Sequence, residues 1–239
     1  MITIINTEVC GFGPAIRGMR NPKNSWDKSD SFSCMECVPA FFECETCPHR
    51  VADSIYGEYC SRNGVDYVIG DNDKDLMQRL NRGGPVHAKY RRMIAVYVDI
   101  NAPFYWWKEF DTYKVGTTAN SCSTMHKIHE KEFTLDDFSH EHLTMQNRMI
   151  LKDIITILNH CRENFNSTKD KLWWQQMIQL LPTSYNQKRT IMLNYEVLAG
   201  MYRDRRHHKL IEWHEFCKWV ESLPYSWIIT GKENEDGET

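Results

Sequence analysis

Three groups of residues in this chain have the types and spacing to do chemistry. Two Cys-x2-Cys pairs, Cys34 with Cys37 and Cys44 with Cys47, offer four thiolates that could enclose a tetrahedral Zn2+. His49 and Cys60 follow; an iron–sulfur cluster or a set of free thiols in a loop are the other readings of this cluster. Arg203, Arg205 and Arg206 crowd into a basic run that ends His207-His208-Lys209. Guanidinium forks suit a phosphate, although a charge run of this kind is also an ordinary solvated helix face. Between these groups, Tyr113 to Thr124 is dense in small hydroxyl side chains, with Gly116 allowing close backbone approach. Ser123 has no base that the sequence identifies, so a binding role suits it better than nucleophilic attack. No Gly-x-Gly-x-x-Gly follows a strand, which excludes a Rossmann-type phosphate cradle.

These groups need elements to position them. Ile2 to Thr7 reads as a short strand and Ala15 to Met19 as a weak helix ending before Asn21-Pro22. Lys23 to Asn63 is polar and Cys-rich without a lasting period, which predicts a loop or inserted subdomain. Asp73 to Leu80 predicts a helix stopped at Gly83-Gly84. Ile94, Val96, Val98 and Ile100 alternate as a strand, and Pro103 suits the first turn of a following helix. Met145 to Phe165 places Ile150, Ile154, Ile157, Leu158, Cys161 and Phe165 on one helical stripe. Ser167 offers a cap for a helix to about Leu181, and two further helices are expected over Gln187–Tyr202 and Lys209–Leu223. Strands early and helices late predict an α+β class: a mixed or antiparallel sheet with a C-terminal helical half. The expected layout is one domain over 1–230 with a single core, a Cys-rich insert at 30–63 and a flexible tail at 231–239.

Three segments together resemble the flavin-dependent thymidylate synthase family. Gly83-Gly84-Pro85-Val86-His87 is similar to that family's turn before a strand, whose histidine touches the flavin. Ala102-Pro103-Phe104-Tyr105-Trp106-Trp107, followed by Asp111 to His126, resembles the entry to the helix and the signature Arg-His-Arg-x2-Ser-x-Asn-x2-Ser-x-Arg. Leu181-Pro182, Asn194, Arg205-Arg206 and Trp213 match a third series at nearly the family's separations. The signature is altered: Thr112-Tyr113-Lys114 stand where Arg-His-Arg is expected, and Glu196 stands where the family often places arginine. Asn120 and Ser123 fit the pattern.

The resemblance implies FAD as cofactor, NADPH as reductant, methylenetetrahydrofolate as carbon donor, and dUMP or a related pyrimidine nucleotide as acceptor. It implies a methyltransferase reaction making dTMP and a homotetramer with shared active sites. On this reading His87, Lys114 and Asn194 serve the cofactor, while Asn120, Ser123, Arg205 and Arg206 serve the substrate. No catalytic residue is assigned, since the cofactor carries the difficult step. Asn194, read as mid-helix, sits where an amide gains nothing intrinsically, which hints at a ligand contact. Lys89, Arg91, Arg92, Lys188 and Arg189 are available to replace lost arginines, with at most one of Arg91 and Arg92 pointing inward. Two alternatives stay open: a non-catalytic nucleotide- or flavin-binding regulatory protein, and a zinc-bearing adaptor.

The bulk numbers are consistent with this and exclude other classes. A length of 239 residues with 41% hydrophobic content supports a folded core. A formal net charge of −3 provides no chain-wide field for polyanions. The sequence has no apolar run long enough to span a membrane and no secretory pattern at its start. Nine cysteines without such a signal make a reducing cytoplasm the expected location.

Overall fold

A computed structural model describes residues 2–33 and 67–232. Cys34, Cys37, Cys44 and Cys47, and with them the expected zinc site, lie outside the described residues. Among the described residues no group of three or more potential metal ligands comes together, and no helix is long and apolar enough to cross a membrane.

The chain runs β1 (Thr3–Cys10), α1 (Phe12–Arg20), β2 (Phe32–Ser33), β3 (Tyr67–Val68), α2 (Asp71–Arg82), β4 (Ala95–Pro103) and α3 (Phe104–Phe110). It continues through β5 (Thr118–Ser121), α4 (Thr124–Lys127), α5 (Met145–Thr168), α6 (Lys171–Leu180), β6 (Asn186–Asn194), α7 (Tyr195–Arg205), α8 (Ile211–Glu221) and α9 (Trp227–Thr230). Four strands make one antiparallel sheet in the order β1-β4-β6-β5. The α+β expectation holds.

Pairing across β4 and β6 divides the sheet into two faces. Val96 opposite Leu193 and Val98 opposite Ile191 point into the core. Tyr97 opposite Met192, Asp99 opposite Thr190 and Asn101 opposite Lys188 point the other way. On that outer face Asp99 accepts hydrogen bonds from Thr190 Oγ1 (2.6 Å) and Asn6 Nδ2 (3.0 Å) and pairs with Lys188 (3.0 Å). These contacts, the Thr190 bond foremost, hold its carboxyl down at about 2. On the inner face α1, α3, α7 and α8 bury an aromatic-rich core around Trp106, Trp107, Phe110, Tyr195, Trp213 and Phe216.

The short β2–β3 pair sets Phe32 opposite Val68 as a two-stranded stem. That stem is anchored by fully buried Asp73, which pairs with Arg20 (2.6 Å) and accepts from Ser29 and Ser31. Burial alone would raise the Asp73 carboxyl, but the bonds from Ser31, Ser29 and Arg20 outweigh it and leave the group lowered.

Five expectations need correction. Gln187–Tyr202 is not one helix: β6 runs to Asn194 and only then does α7 begin. Gln187, Ile191 and Leu193 are buried at a two-residue period, and nine paired positions with β4 outweigh the local helical appearance. Asn194 is therefore not mid-helix. It caps α7, its Oδ1 accepting from the N–H groups of Glu196 and Val197 at 3.1 Å each, so its placement is favourable without any ligand.

Ser167 likewise caps nothing. α5 continues to Thr168, Lys169 turns left-handed (φ 59°), and Asp170 caps α6. The expected stripe of α5 is also displaced, for Leu151, Ile155, Leu158 and Cys161 are buried while Ile150 and Ile157 stand exposed. Two apolar stripes lie side by side on this helix, and packing against α6 and residues 128–138 chooses between them. That packing forms a second hydrophobic cluster, separate from the one beneath the sheet, where a single core was expected.

Candidate functional site

One candidate site is a cleft of about 610 Å3 between the C-terminal end of α2, one side of α7 and residues 227–232. α2 ends at Gly83, and Gly84 at φ +85° turns the chain sharply, its carbonyl accepting from the N–H groups of His87 and Ala88 at 3.0 Å. Gly84 and Pro85 line the cleft; His87 is exposed beside it, its ring against Gly83. Residues 89–93 form a 3-10 stretch rather than the start of the strand. That stretch buries Arg91 and exposes Arg92, so one of the pair does point inward.

The walls are bonded to one another. Tyr90 donates to Asn81 Oδ1 (2.7 Å), and Asn81 Nδ2 donates to the Ile228 carbonyl (3.3 Å). Arg91 Nε lies 2.8 Å from Glu196 Oε2, an ion pair whose angle falls outside that of a hydrogen bond. Glu196, the departure from the resembled pattern, thus has its own cation. At the rim Glu221 accepts from Lys232 (2.8 Å) and Tyr202 (2.5 Å), the Lys232 bond foremost in lowering its carboxyl.

Two features of this cleft have no internal explanation. Arg82 at the end of α2 and Arg206 just past α7 both line it, and neither guanidinium has a hydrogen-bond or ion-pair partner among the described residues. Gly200 lies within α7 and lines the cleft as well, yet a methyl group there would meet nothing within 4 Å. Glycine inside a helix costs roughly 0.5–1 kcal/mol relative to alanine, and no contact among the described residues offsets that cost. Two free guanidinium groups and a bare stretch of helix suit a large anionic ligand with a flat ring. Arg82, Gly200 and Trp227 were not singled out from the sequence; the signal for Arg82 was its place directly before the Gly-Gly-Pro turn.

A second region lies at the C-terminal end of α3. Arg205 Nη1 donates to Glu109 Oε2 (2.5 Å) and its Nε to the Tyr113 hydroxyl (2.9 Å). The guanidinium carbon lies 4.9 Å from the Trp213 ring centre and 5.4 Å from that of Tyr113. The same Glu109 oxygen receives Trp213 Nε1 (3.3 Å) and His208 Nε2 (3.1 Å). His208 Nδ1 accepts from the Leu210 N–H, which assigns the ring hydrogen to Nε2. Nearby Arg189 Nη1 donates to Asp111 (2.7 Å), and its guanidinium lies 4.2 Å from the Trp107 ring centre.

A further cavity of about 520 Å3 contains Ser123 and Cys122. Ser123 Oγ accepts from the His126 N–H (3.0 Å) and so caps α4. Its three lysines are each matched: Lys127 by Glu130, Lys131 by Asp137 and Lys188 by Asp99.

The sequence-derived site residues therefore fall in several places within one chain. His87 and Arg206 adjoin the α2–α7 cleft. Lys114 is exposed on the loop that carries Gly116 against Asn194 and Val197, and Tyr113 of the same loop meets Arg205. Asn120 is exposed on β5 opposite Thr190, on the outer sheet face, and Ser123 lines the smaller cavity.

No protein-family model matches the sequence, and no curated protein does. Solved structures do. A flavin-dependent thymidylate synthase, ThyX, from Helicobacter pylori, complexed with FAD and dUMP, superposes with a TM-score of 0.62 at 14% identity, covering 95% of this chain and 98% of the other. A second structure of Helicobacter pylori ThyX with FAD and dUMP gives 0.61 at 14% identity, covering 97% and 98%. Similarity that spans almost the whole of both chains leaves one conclusion about architecture: this chain has the fold of the flavin-dependent thymidylate synthases.

Proposed function

We propose that this chain is a flavin-dependent enzyme that modifies a pyrimidine at C5, on the pattern of the reductive methylation of dUMP to dTMP. The observation that carries this reading is the α2–α7 cleft. On a fold shared with proteins solved with FAD and dUMP, it combines unpaired Arg82 and Arg206 with the bare helical face at Gly200.

The residues fit a flavin nucleotide. Arg82 and Arg206 would hold its diphosphate from opposite walls, with charge-assisted contacts worth roughly 1.5–3 kcal/mol each. Gly200 leaves α7 open to a ring laid against it, and Trp227 backs the cleft from the C-terminal side. His87, on the turn beside the cleft, would donate to the edge of a cofactor that extends past Pro85. A flavin held there by Arg82 and Arg206 would supply hydride chemistry, with NADPH as its reductant and methylenetetrahydrofolate as the carbon donor. The protein's own contribution is to bind, to orient and to keep water from the reacting face. Shared sites in a homotetramer belong to the same reading, since a cleft open on one side can be completed by a partner subunit.

Purified protein should carry FAD or take it up on reconstitution, with flavin absorbance following the protein in stoichiometric amount. Incubation with a uracil-bearing acceptor, methylenetetrahydrofolate and NADPH should then give a C5-methylated product. A colourless protein with no measurable affinity for FAD would overturn the proposal.

A further inference from the structure

We infer that Arg91 is a third anion-binding cation of the α2–α7 cleft, and that Glu196 competes with the ligand for it. The inference rests on the reading of this cleft as the anion site and deepens it. Arg91 lines the cleft yet is nine-tenths buried, with 9% of its surface exposed. Its Nε is buried and makes no hydrogen bond among the described residues. The guanidinium has a long contact of 3.5 Å from Nη1 to the Ile228 carbonyl, and the Glu196 carboxylate 2.8 Å from Nε. Glu196 is no better served, since its buried Oε2 has no hydrogen bond among the described residues either.

Three other arginine–carboxylate pairs are built differently. Arg20 donates to Asp73 at 2.6 Å, Arg189 to Asp111 at 2.7 Å and Arg205 to Glu109 at 2.5 Å, each as a directed hydrogen bond. Two of these guanidiniums also lie over aromatic rings. Between Arg91 and Glu196 the charge attraction is present and the directional part of the bond is not. A buried donor without its hydrogen bond costs free energy, and a well-aligned oxygen removes that cost. Phosphate oxygens, charged and several to a group, suit a guanidinium for this.

The two side chains are mounted so that the exchange is possible. Arg91 sits on the 3-10 stretch 89–93, where its neighbour Tyr90 is tied to α2 through Asn81. Glu196 stands in the first turn of α7, where the helix dipole favours a carboxylate whether or not Arg91 is engaged. Its side chain keeps 19% of its surface exposed, so releasing Arg91 does not strand a charge in the core. Arg91 thus joins Arg82 and Arg206 as a guanidinium without a directed bond to a carboxylate. Among the described residues that line the cleft, Glu196 is the one acid. A diphosphate is the ligand class that would engage all three arginines.

Calorimetric titration with inorganic pyrophosphate and with FAD tests this on wild type and three variants. Glu196→Gln keeps the shape and removes the competing charge, and should tighten both ligands by about fivefold or more. Arg91→Met removes the cation and should weaken both by about tenfold or more. The double variant should bind like Arg91→Met alone, because competition for a missing cation has no effect. Weaker binding by both single variants would mark a purely structural pair and overturn the inference. Equal tightening by Glu196→Gln with and without Arg91 would overturn it too, as the sign of a diffuse field. Should a variant not fold, a crystal structure of the wild type with pyrophosphate decides. Arg91 bonded to a phosphate oxygen is the expected result, and Arg91 still held by Glu196 alone sinks the idea. If pyrophosphate follows the pattern and FAD does not bind, the inference stands and the flavin reading falls. If FAD binds and neither single substitution moves its affinity, the flavin reading stands and the inference falls.

Discussion

The α2–α7 cleft and the end of α3 are both rich in arginine, but they treat it in opposite ways. In the cleft, Arg82 and Arg206 face open volume with no carboxylate among the described residues in contact, while Glu196, which also lines it, is taken by Arg91. At the end of α3, Arg205 and Arg189 each hold a carboxylate and lie over an aromatic ring. Unpaired cations in a concavity cost stability through mutual repulsion and gain it back only when an anion arrives. Paired and stacked cations contribute to the folded state itself. A count of arginines cannot separate these roles; the position of the acids does.

Several substitutions would break or sharpen that contrast. The largest expected effect is on the cleft: the Arg82→Ala/Arg206→Ala double variant should lose about a hundredfold or more in FAD affinity, taking each contact at roughly 1.5–3 kcal/mol. Its unfolding free energy should stay within about 0.5 kcal/mol of wild type, because neither side chain has a partner among the described residues to lose. Fluorescence titration with FAD and denaturant unfolding on the same preparation measure both. A large loss of stability would mean that the two arginines are structural after all.

Glu109→Ala should do the reverse. Removing the acceptor shared by Arg205, His208 and Trp213 is expected to cost about 1–3 kcal/mol in unfolding free energy and to leave FAD affinity close to wild type. If FAD binding collapses while stability holds, the two regions are one site and the contrast drawn here is wrong.

Gly200→Ala separates helix propensity from ligand space. Alanine should stabilise the ligand-free protein by about 0.5–1 kcal/mol, since a methyl group there touches nothing, yet weaken FAD binding. Tighter FAD binding by this variant would remove Gly200 from the proposed site.

The smallest effect concerns acid. Asp99 is held at about 2 by Thr190, Asn6 and Lys188, below the ordinary 3.8. A group lowered on folding contributes stability above its unfolded value, and that contribution fades as pH falls from about 4 toward 2. Asp99→Asn should flatten this part of the stability-against-pH curve, with the difference gone once the wild-type carboxyl is protonated. An unchanged acid limb would show that the outer-face network does not contribute to the folded state.

How much was legible in the sequence varied with the range of the interactions. β4 declared itself through Ile94 to Ile100 because alternation over a strand is local. α2 declared itself through its Gly-Gly stop. β6 did not, since Lys188, Thr190 and Met192 alternate with Arg189 and Ile191 in a pattern that a helix could also bury. Only pairing with a strand some ninety residues earlier decides that case. Asn194 shows the consequence, for the same residue is a misplaced amide in a helix and a good cap at its start. The choice between Ile150/Ile157 and Leu151/Ile155 on α5 was equally hidden, as both stripes satisfy the helical period.

Among the candidate site residues, residue type pointed to Arg205 and Arg206 together, and nothing in their adjacency distinguishes them. A helix end projects neighbouring side chains in different directions, so Arg206 meets the cleft and Arg205 meets α3.

Residue types and local periods by themselves determined the α+β class, the central strand, the basic run after α7 and the departure from the resembled signature. The tertiary structure alone decided which arginines are free, because neutralisation by Glu109 and Asp111 is a contact between side chains 96 and 78 positions apart in the chain. Local sequence encodes backbone preference within a few residues, whereas charge pairing depends on distance in space, and only the packed sheet and helices set that distance.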